Sequence, residues 1–252
     1  MKVSIITIAW NSAETIEDTI KSVIAQDYKD VEYIVIDGAS KDNTLEIINK
    51  YKDNIAVVIS EPDKGIYDAM NKGVKAATGD VIGILNSDDF YADNHVVSDI
   101  VALFKSSGAQ GVYADLVYVN RSATDRVLRY WKAGEYKAGM FRKGWMPPHP
   151  TFFIQAACYT NYGLYNTELR SAADYELMLR MMHKHKISVA YLNRVITRMR
   201  DGGESNVTLK NRIRANKEDR RAWTMNGLKP GLLTLYRKPL SKIKQFIFKP
   251  KA

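Results

Sequence analysis

The chain has 252 residues, 46% of them hydrophobic and 26% charged, which allows one large core plus an appendage and shows no repeat or low-complexity tract. No apolar run approaches a bilayer span, the start Met1-Lys2-Val3-Ser4-Ile5 runs directly into strand pattern, and the single cysteine, Cys158, cannot form an internal disulfide; these features exclude a disulfide scaffold and lead us to expect no bilayer-spanning segment, no secretion signal and a cytoplasmic location. The net charge of +9 is confined to one end: residues 205–252 hold 13 Lys and Arg against two acids, a net +11, while residues 1–204 hold 24 against 26, a net −2, which argues for contact with an anionic surface and against a nucleic-acid groove through the core.

The first half alternates strand and helix, predicting a mostly parallel sheet covered on both faces. Ile5-Ile6-Thr7-Ile8-Ala9 reads as the opening strand. Asn11 and Glu14 are placed as a capping box for a helix that carries Ile16, Ile20, Val23 and Ile24 on one face. Strand 32–37, a helix with Leu45, Ile48 and Tyr51, strand 55–60, a helix over about 65–77 and strand 81–85 follow, with Gly79-Asp80 as the turn into the last. A helix beginning near Asp93 carries Val97, Ile100, Val101 and Phe104, before strand 111–119. Residues 120–170 are less regular and rich in aromatics and proline. Asp174 opens a helix with Leu177, Met178, Met181 and Met182 facing the core, strand 188–192 precedes a turn over 200–205, and the tail reads as helix interrupted near Gly227 and Pro230.

Asp88 and Asp89 end the apolar run Val81-Ile82-Gly83-Ile84-Leu85, with Asn86-Ser87 between. A buried strand ending in two acids puts hard oxygen ligands at the carboxyl edge of a sheet, where ligands of open α/β folds bind. An isolated Asp-Asp reads as a solvated turn, but two further strands end in polar residues, Trp10-Asn11 and Asp37-Gly38, and a third acidic segment, Ala173-Asp174-Tyr175-Glu176-Leu177, lies downstream.

In order and spacing these segments, with Asp37-Gly38-Ala39-Ser40-Lys41-Asp42-Asn43-Thr44 and Glu61-Pro62-Asp63-Lys64-Gly65-Ile66-Tyr67-Asp68-Ala69-Met70-Asn71-Lys72-Gly73, resemble the family 2 glycosyltransferases of the GT-A fold, especially bacterial enzymes of O-antigen, capsule and exopolysaccharide assembly. The resemblance covers about residues 2–206. It implies a Rossmann-like α/β sandwich over 1–206, with a nucleotide-sugar half at 1–119 and an acceptor half at 120–206, followed by a basic helical tail at 207–252. The implied reaction is inverting transfer of a sugar from a nucleotide diphosphate, by family frequency a UDP-hexose or UDP-N-acetylhexosamine, to a saccharide acceptor that is lipid-linked.

By the same resemblance, Asp37 recognises base or ribose, Asp88 lies nearer the ribose, Asp89 holds Mg²⁺ or Mn²⁺, and Asp174 takes the acceptor proton. Thr7, Lys64, Gly65 and Asn71 complete the donor site, and His149 contacts acceptor or diphosphate. The chain departs from the family's Asp-x-Asp-Asp pattern by having Asn86 first. As helix caps, Ser40 and Asp42 serve better than Asp37, which leaves Asp37 free for the nucleotide. Lys238, Lys242, Lys244, Lys249 and Lys251 interleave with Leu240, Ile243, Phe246, Ile247 and Phe248, a mixture suited to anionic headgroups at the inner membrane face; a solvated helix or one that pairs two copies in a homodimer is the alternative.

A nicotinamide-binding Rossmann enzyme is disfavoured, because Trp10-Asn11-Ser12-Ala13 is not the glycine-rich turn that admits a pyrophosphate. A processive synthase lacks its Gln-x-x-Arg-Trp signature here, of which Asp219-Arg220-Arg221-Ala222-Trp223 is a loose echo. The rival from another class is a non-catalytic sugar-nucleotide-binding assembly partner at the membrane.

Overall fold

The computed structural model describes residues 1–202, 209–231 and 234. In chain order its elements are β1 (Val3–Ala9), α1 (Ile16–Ile24), β2 (Val31–Asp37), α2 (Thr44–Lys50), β3 (Val57–Ser60), α3 (Ile66–Ala76), β4 (Val81–Asn86), β5 (Asp89–Tyr91), α4 (Val96–Ser107), β6 (Gly111–Val119), β7 (Val127–Trp131), β8 (Phe153–Gln155), α5 (Ala156–Tyr162), α6 (Ala173–Met178), β9 (Val189–Arg200) and α7 (Leu209–Met225). They form one sheet in the order β3-β2-β1-β4-β8-β6-β9-β5, with β7 also paired to β6. The strands from β3 to β4 run parallel, and antiparallel β8 joins them to the parallel pair β6 and β9. Residues 1–119 and 120–202 therefore share a sheet, because β6 pairs with β8 and β9.

Period-two alternation divides the strand residues between two apolar layers. Val3, Ile5, Val35 and Leu85 join Ile16 and Ile20 of α1, Ile48 of α2 and Ile100 and Phe104 of α4. Ile6, Ile8, Ile34, Ile36, Ile82 and Ile84 join Tyr67, Met70 and Val74 of α3 and the α5, α6 and α7 side chains. Layer contact on the α3 side is so close that a Cβ on Gly73 would lie 2.3 Å from Ile6 Cγ2. The long apolar runs thus bury both faces, as parallel strands covered by helices require.

Several local expectations change. The capping box does not form: α1 starts at Ile16 with Thr15 at its N-cap and no side-chain cap, while Asn11 Oδ1 accepts from Lys41 N (2.8 Å) and Glu14 pairs with Arg121 (3.2 Å). The helix expected near Asp93 begins at Val96, and a short strand, β5, starts at the second acid of the pair and runs from Asp89 to Tyr91. The aromatic 120–170 segment contains β7, β8 and α5, too short to show a period in the sequence. The Asp174 helix continues as a π-helical stretch, Leu179–Lys184. β9 extends eight residues beyond the predicted strand end at Leu192, through a register shift opposite Ala114 and Asp115.

The boundary placed at 206/207 does not mark the end of packing. Trp223 and Ala222 of α7 are fully buried in the α3-side core. Trp223 Nε1 donates to Tyr175 Oη (2.8 Å), and Asn226 Nδ2 donates to Glu176 Oε1 (2.8 Å). Glu218 accepts the Arg170 and Ser171 amides at 3.1 and 2.7 Å. The folded unit thus extends at least through Asn226, and the lysine-rich segment 238–251 lies outside the described residues. Trp223→Ala should lower stability by about 3–5 kcal/mol, the range for large-to-small changes of an aromatic in a core. Urea unfolding followed by circular dichroism measures it, and a surface-sized effect would mean that α7 is not part of the core.

Candidate functional site

The parallel strands β2, β1 and β4 end side by side. Asp37 stands opposite Ala9, and Asn86 opposite Ile8, so Trp10, Asp37 and the 86–89 turn share one edge of the sheet. Thr19 of α1 pins that turn from below, its hydroxyl donating to the carbonyls of Ser87 (3.0 Å) and Asp89 (2.6 Å). Ser12 Oγ and Ser87 Oγ share a bond of 2.7 Å. The loop after β2 carries left-handed Ala39 (φ +55°), a conformation that disfavours a Cβ. Asp37 holds it by accepting from the Ser40 amide at 3.2 Å, and it also accepts from the hydroxyls of Ser40 and Ser60.

Beside Asp37, Trp10 is 63% exposed, a large apolar ring left in solvent. A Cβ on Gly38 would meet both Trp10 Cδ1 (3.3 Å) and Asp63 Oδ2 (2.8 Å), so glycine lets these two side chains approach the end of β2 closely. Lys72 fixes the segment that carries Asp63 through Asp63 itself (2.6 Å), Glu61 (2.9 Å) and the Pro62 carbonyl (3.0 Å). Lys64 and Gly65 are exposed in the same loop; Gly65 has φ +116° as it leads into α3.

The two acids differ. Asp89 is fully buried, with Oδ2 accepting from Asn86 Nδ2 (3.1 Å) and Oδ1 without a hydrogen-bond partner. Burial first, and then the charge of Asp88, push its carboxyl well above the ordinary range. Asp88 is half-buried; burial raises it too, opposed by the charges of Arg121 and Arg200. Side by side, the two carboxylates oppose each other's ionisation.

Asp174 reaches the site from α6. Tyr67 Oη of α3 donates to Asp174 Oδ1 (3.2 Å), and burial together with the Asp174 charge raises the Tyr67 hydroxyl so that it remains a donor. Tyr67 stacks on Tyr165 (6.0 Å between centroids), whose hydroxyl shares a 2.8 Å bond with His149 Nε2. His149 is buried, which lowers its basicity against the opposing effect of Asp174. Tyr118 of β6 lies within electrostatic reach of Asp89, Asp201 and Asp174 together, which ties the acidic turn and α6 to one locality.

The profile of glycosyl transferase family 2 matches residues 4–160. The chain belongs to that family. A glycosyltransferase of Mycobacterium tuberculosis is 33% identical over 186 residues, covering 71% of this chain and 68% of that one. The fold is GT-A: S. aureus TarS 1–349 in complex with UDP-GlcNAc superposes with a TM-score of 0.69 at 19% identity, over 90% of this chain and 65% of that one. The mannosyltransferase PcManGT of Pyrobaculum calidifontis, in complex with GDP-Man and Mn²⁺, gives 0.68 at 16% identity over 100% and 76%. This chain therefore spans slightly less than two thirds of the TarS structure.

Within this family 2 chain, two sequence assignments do not fit the geometry. Thr7 shares the strand face of Ile5, is fully buried and accepts from the Tyr33 hydroxyl (3.0 Å), so it packs under the α1 layer and does not face a nucleotide. Asn71 is buried with its amide spanning the Tyr165 backbone, donating to the carbonyl and accepting from the N–H, both at 2.9 Å. It holds the Tyr165 loop and does not line the donor recess. Asp89 lies inside the turn with its Oδ1 left without a hydrogen-bond partner, and Asp88 stands half-buried beside it. Asp37, Asp88, Lys64, Gly65 and Asp174 stand at the edge or on the loops and helix that border it, and His149 lies beneath Asp174 behind Tyr165.

Trp10, Tyr67, Lys72 and Arg200 were not singled out by the sequence. A tryptophan directly after a buried strand was the one available signal. The others are ordinary helix or strand positions until tertiary partners are known. Asn71→Ala should lower stability by about 1–3 kcal/mol, because two main-chain groups of Tyr165 lose their partner inside the protein. Nucleotide affinity should stay within about twofold once corrected for folded fraction, measured by calorimetry beside urea unfolding.

Proposed function

We propose that the protein is an inverting, metal-dependent glycosyltransferase that moves a hexosyl or N-acetylhexosaminyl group from a UDP donor to a lipid-linked saccharide acceptor in bacterial surface-polysaccharide assembly. The observation that carries this reading is the carboxylate pair Asp88 and Asp89, the latter with an unpartnered Oδ1, on the same sheet edge as Asp37 and Trp10, with a further carboxylate, Asp174, held by Tyr67. The UDP-GlcNAc of TarS and the GDP-Man and Mn²⁺ of PcManGT support a nucleotide-sugar donor and a divalent cation.

The donor set fits a cation shared with substrate. Among the described residues, no group of three His, Cys, Asp or Glu forms an all-protein cage. One carboxylate suits Mg²⁺ or Mn²⁺, which keep water or phosphate oxygens in most of their positions. Asp89, whose Oδ1 has no hydrogen-bond partner, is the carboxylate that would hold the cation, with Asp88 beside it nearer the ribose. Bound there, the cation would neutralise charge developing on the departing diphosphate.

The remaining steps belong to the chain. Trp10 offers a flat apolar face for the base at a recess bounded by Asp63, and Asp37 orders the Ser40 loop beside it and offers its carboxylate to base or ribose as Ser40 and Ser60 give way. Asp174, kept in place by the Tyr67 hydroxyl, accepts the acceptor hydroxyl proton. The new C–O bond forms on the face opposite the breaking bond, and the diphosphate leaves with the electron pair. One base suffices for a single displacement with inversion.

No helix among the described residues is long and apolar enough to cross a membrane. We assign the basic and apolar tail to anionic headgroups at the inner membrane face, where co-sedimentation with anionic vesicles should require residues 232–252. Binding that ignores anionic lipid, or deletion of the tail with no effect on it, would turn the tail into a solvated or dimer-forming segment.

Two variants separate donor binding from chemistry. Asp89→Ala should remove the Mn²⁺-dependent part of UDP affinity and abolish transfer. Asp174→Asn should leave UDP binding intact and reduce single-turnover transfer by about 10²- to 10⁴-fold. Near-normal transfer in Asp174→Asn would make that residue a helix-terminal acid only, and UDP-sugar hydrolysis absent from the wild type at every metal tested would favour a non-catalytic binding protein. Trp10→Ala should weaken UDP binding by about tenfold, in line with roughly 1–3 kcal/mol for stacking a base on an aromatic ring.

A further inference from the structure

Tyr118 of β6 is a tyrosine that packing alone leaves unexplained. It is 8% exposed, yet its hydroxyl makes no hydrogen bond among the described residues. Tyr113 of the same strand, and Tyr130 and Tyr191 of the strands on either side, each donate to a protein oxygen. The strand register shows where Tyr118 points. Asp89 pairs with Met199, Met199 with Tyr118, and Tyr118 with Arg129, so one row of side chains crosses β5, β9, β6 and β7 on a single face of the sheet.

Arg129 closes one side of this position. Its guanidinium lies over the Tyr118 ring, 4.5 Å from the centroid, and 5.6 Å from that of Trp131 on the same strand. With the ring buried and one of its faces under that cation, the hydroxyl is what Tyr118 can offer a ligand. Burial raises the phenol, and the charges of Asp89, Asp201 and Asp174 raise it further against the opposing effect of Arg129, so the group stays a neutral donor. In the proposed reaction the diphosphate departs beside Asp89 and the acceptor hydroxyl loses its proton to Asp174. The sugar in transit lies between those two carboxylates, and Tyr118 is within reach of both.

We propose that Tyr118 is a specificity-determining residue for the transferred sugar: from its place in the row between Asp89 and Arg129, its hydroxyl donates a hydrogen bond to a hydroxyl of the donor's sugar ring. This rests on the reading that Asp89 holds the cation and Asp174 is the base. Uridine and diphosphate touch other groups, so the bond adds to the binding of a nucleotide sugar and not of the nucleotide alone. A sugar that lacks the matching hydroxyl leaves the phenol unpaired and is disfavoured for that reason.

The test is calorimetric titration of UDP, UDP-glucose, UDP-N-acetylglucosamine, GDP and GDP-mannose into the full chain with Mn²⁺, for wild type and Tyr118→Phe. The quantity read is the affinity of each nucleotide sugar relative to its own nucleoside diphosphate. Tyr118→Phe should lower that ratio by about two- to tenfold for the sugar that the wild type binds best, the effect of removing one neutral hydrogen bond, while the affinity for the diphosphate alone stays within about twofold. The melting temperature of the variant should not fall, because the hydroxyl has no protein partner to lose. An unchanged ratio overturns the proposal and, with a lowered melting temperature, makes Tyr118 a packing residue. Equal weakening of nucleotide and nucleotide sugar also overturns it and puts the phenol at the diphosphate. A wild type that binds neither diphosphate with Mn²⁺ removes the donor reading and this proposal with it, whereas normal diphosphate binding with a ratio insensitive to Tyr118 removes the proposal alone.

Discussion

The two-residue period of β1, β2 and β4 governs the molecule. Successive side chains of these strands enter opposite helical layers, and both layers are apolar, so nearly every interior strand position is committed to packing. Polar groups can meet a ligand only where the strands end and the two layers part. That places Trp10, Asp37 and the Asn86–Asp89 turn at one edge, and it removes Thr7, which sits two residues before the end of β1 beneath the α1 layer.

Parallel ends would be a loose platform without the groups that tie the following loops down. Each such loop has a side chain from another element as its anchor: Thr19 for the acidic turn, Lys72 for residues 61–63 and Asn71 for the Tyr165 segment. Across the sheet, fully buried Asp115 does similar work, accepting the Tyr130 and Tyr191 hydroxyls and the Ala133 amide and so joining β6 to β9 and to the segment after β7. A buried carboxylate with three donors is satisfied; Asp89, with one, is not. The unsatisfied polar groups collect at the end of β4, and that contrast marks the turn as the place adapted to something other than packing.

The helix bearing Asp174 is held from two directions. Tyr67 reaches it from α3, next to the donor loop, while α7 grips the adjoining Tyr175 and Glu176 through Trp223 and Asn226. The C-terminal helix is therefore mechanically linked to the helix that carries the proposed base.

The sequence by itself determined the family and the order of the long strands and helices in the first half, because long apolar runs with one period are local signals. It also placed Asp174 at the start of its helix. Only the tertiary structure decided which of two adjacent acids is accessible, that Asn71 braces a loop ninety-four residues away, and that Trp223 belongs to the core. Adjacent residues have the same local pattern whichever of them turns inward; burial and partnership depend on segments far apart in the chain. The short strands β5, β7 and β8 were hidden for the same reason, since three to five residues carry too little periodicity and gain their identity from the strand beside them.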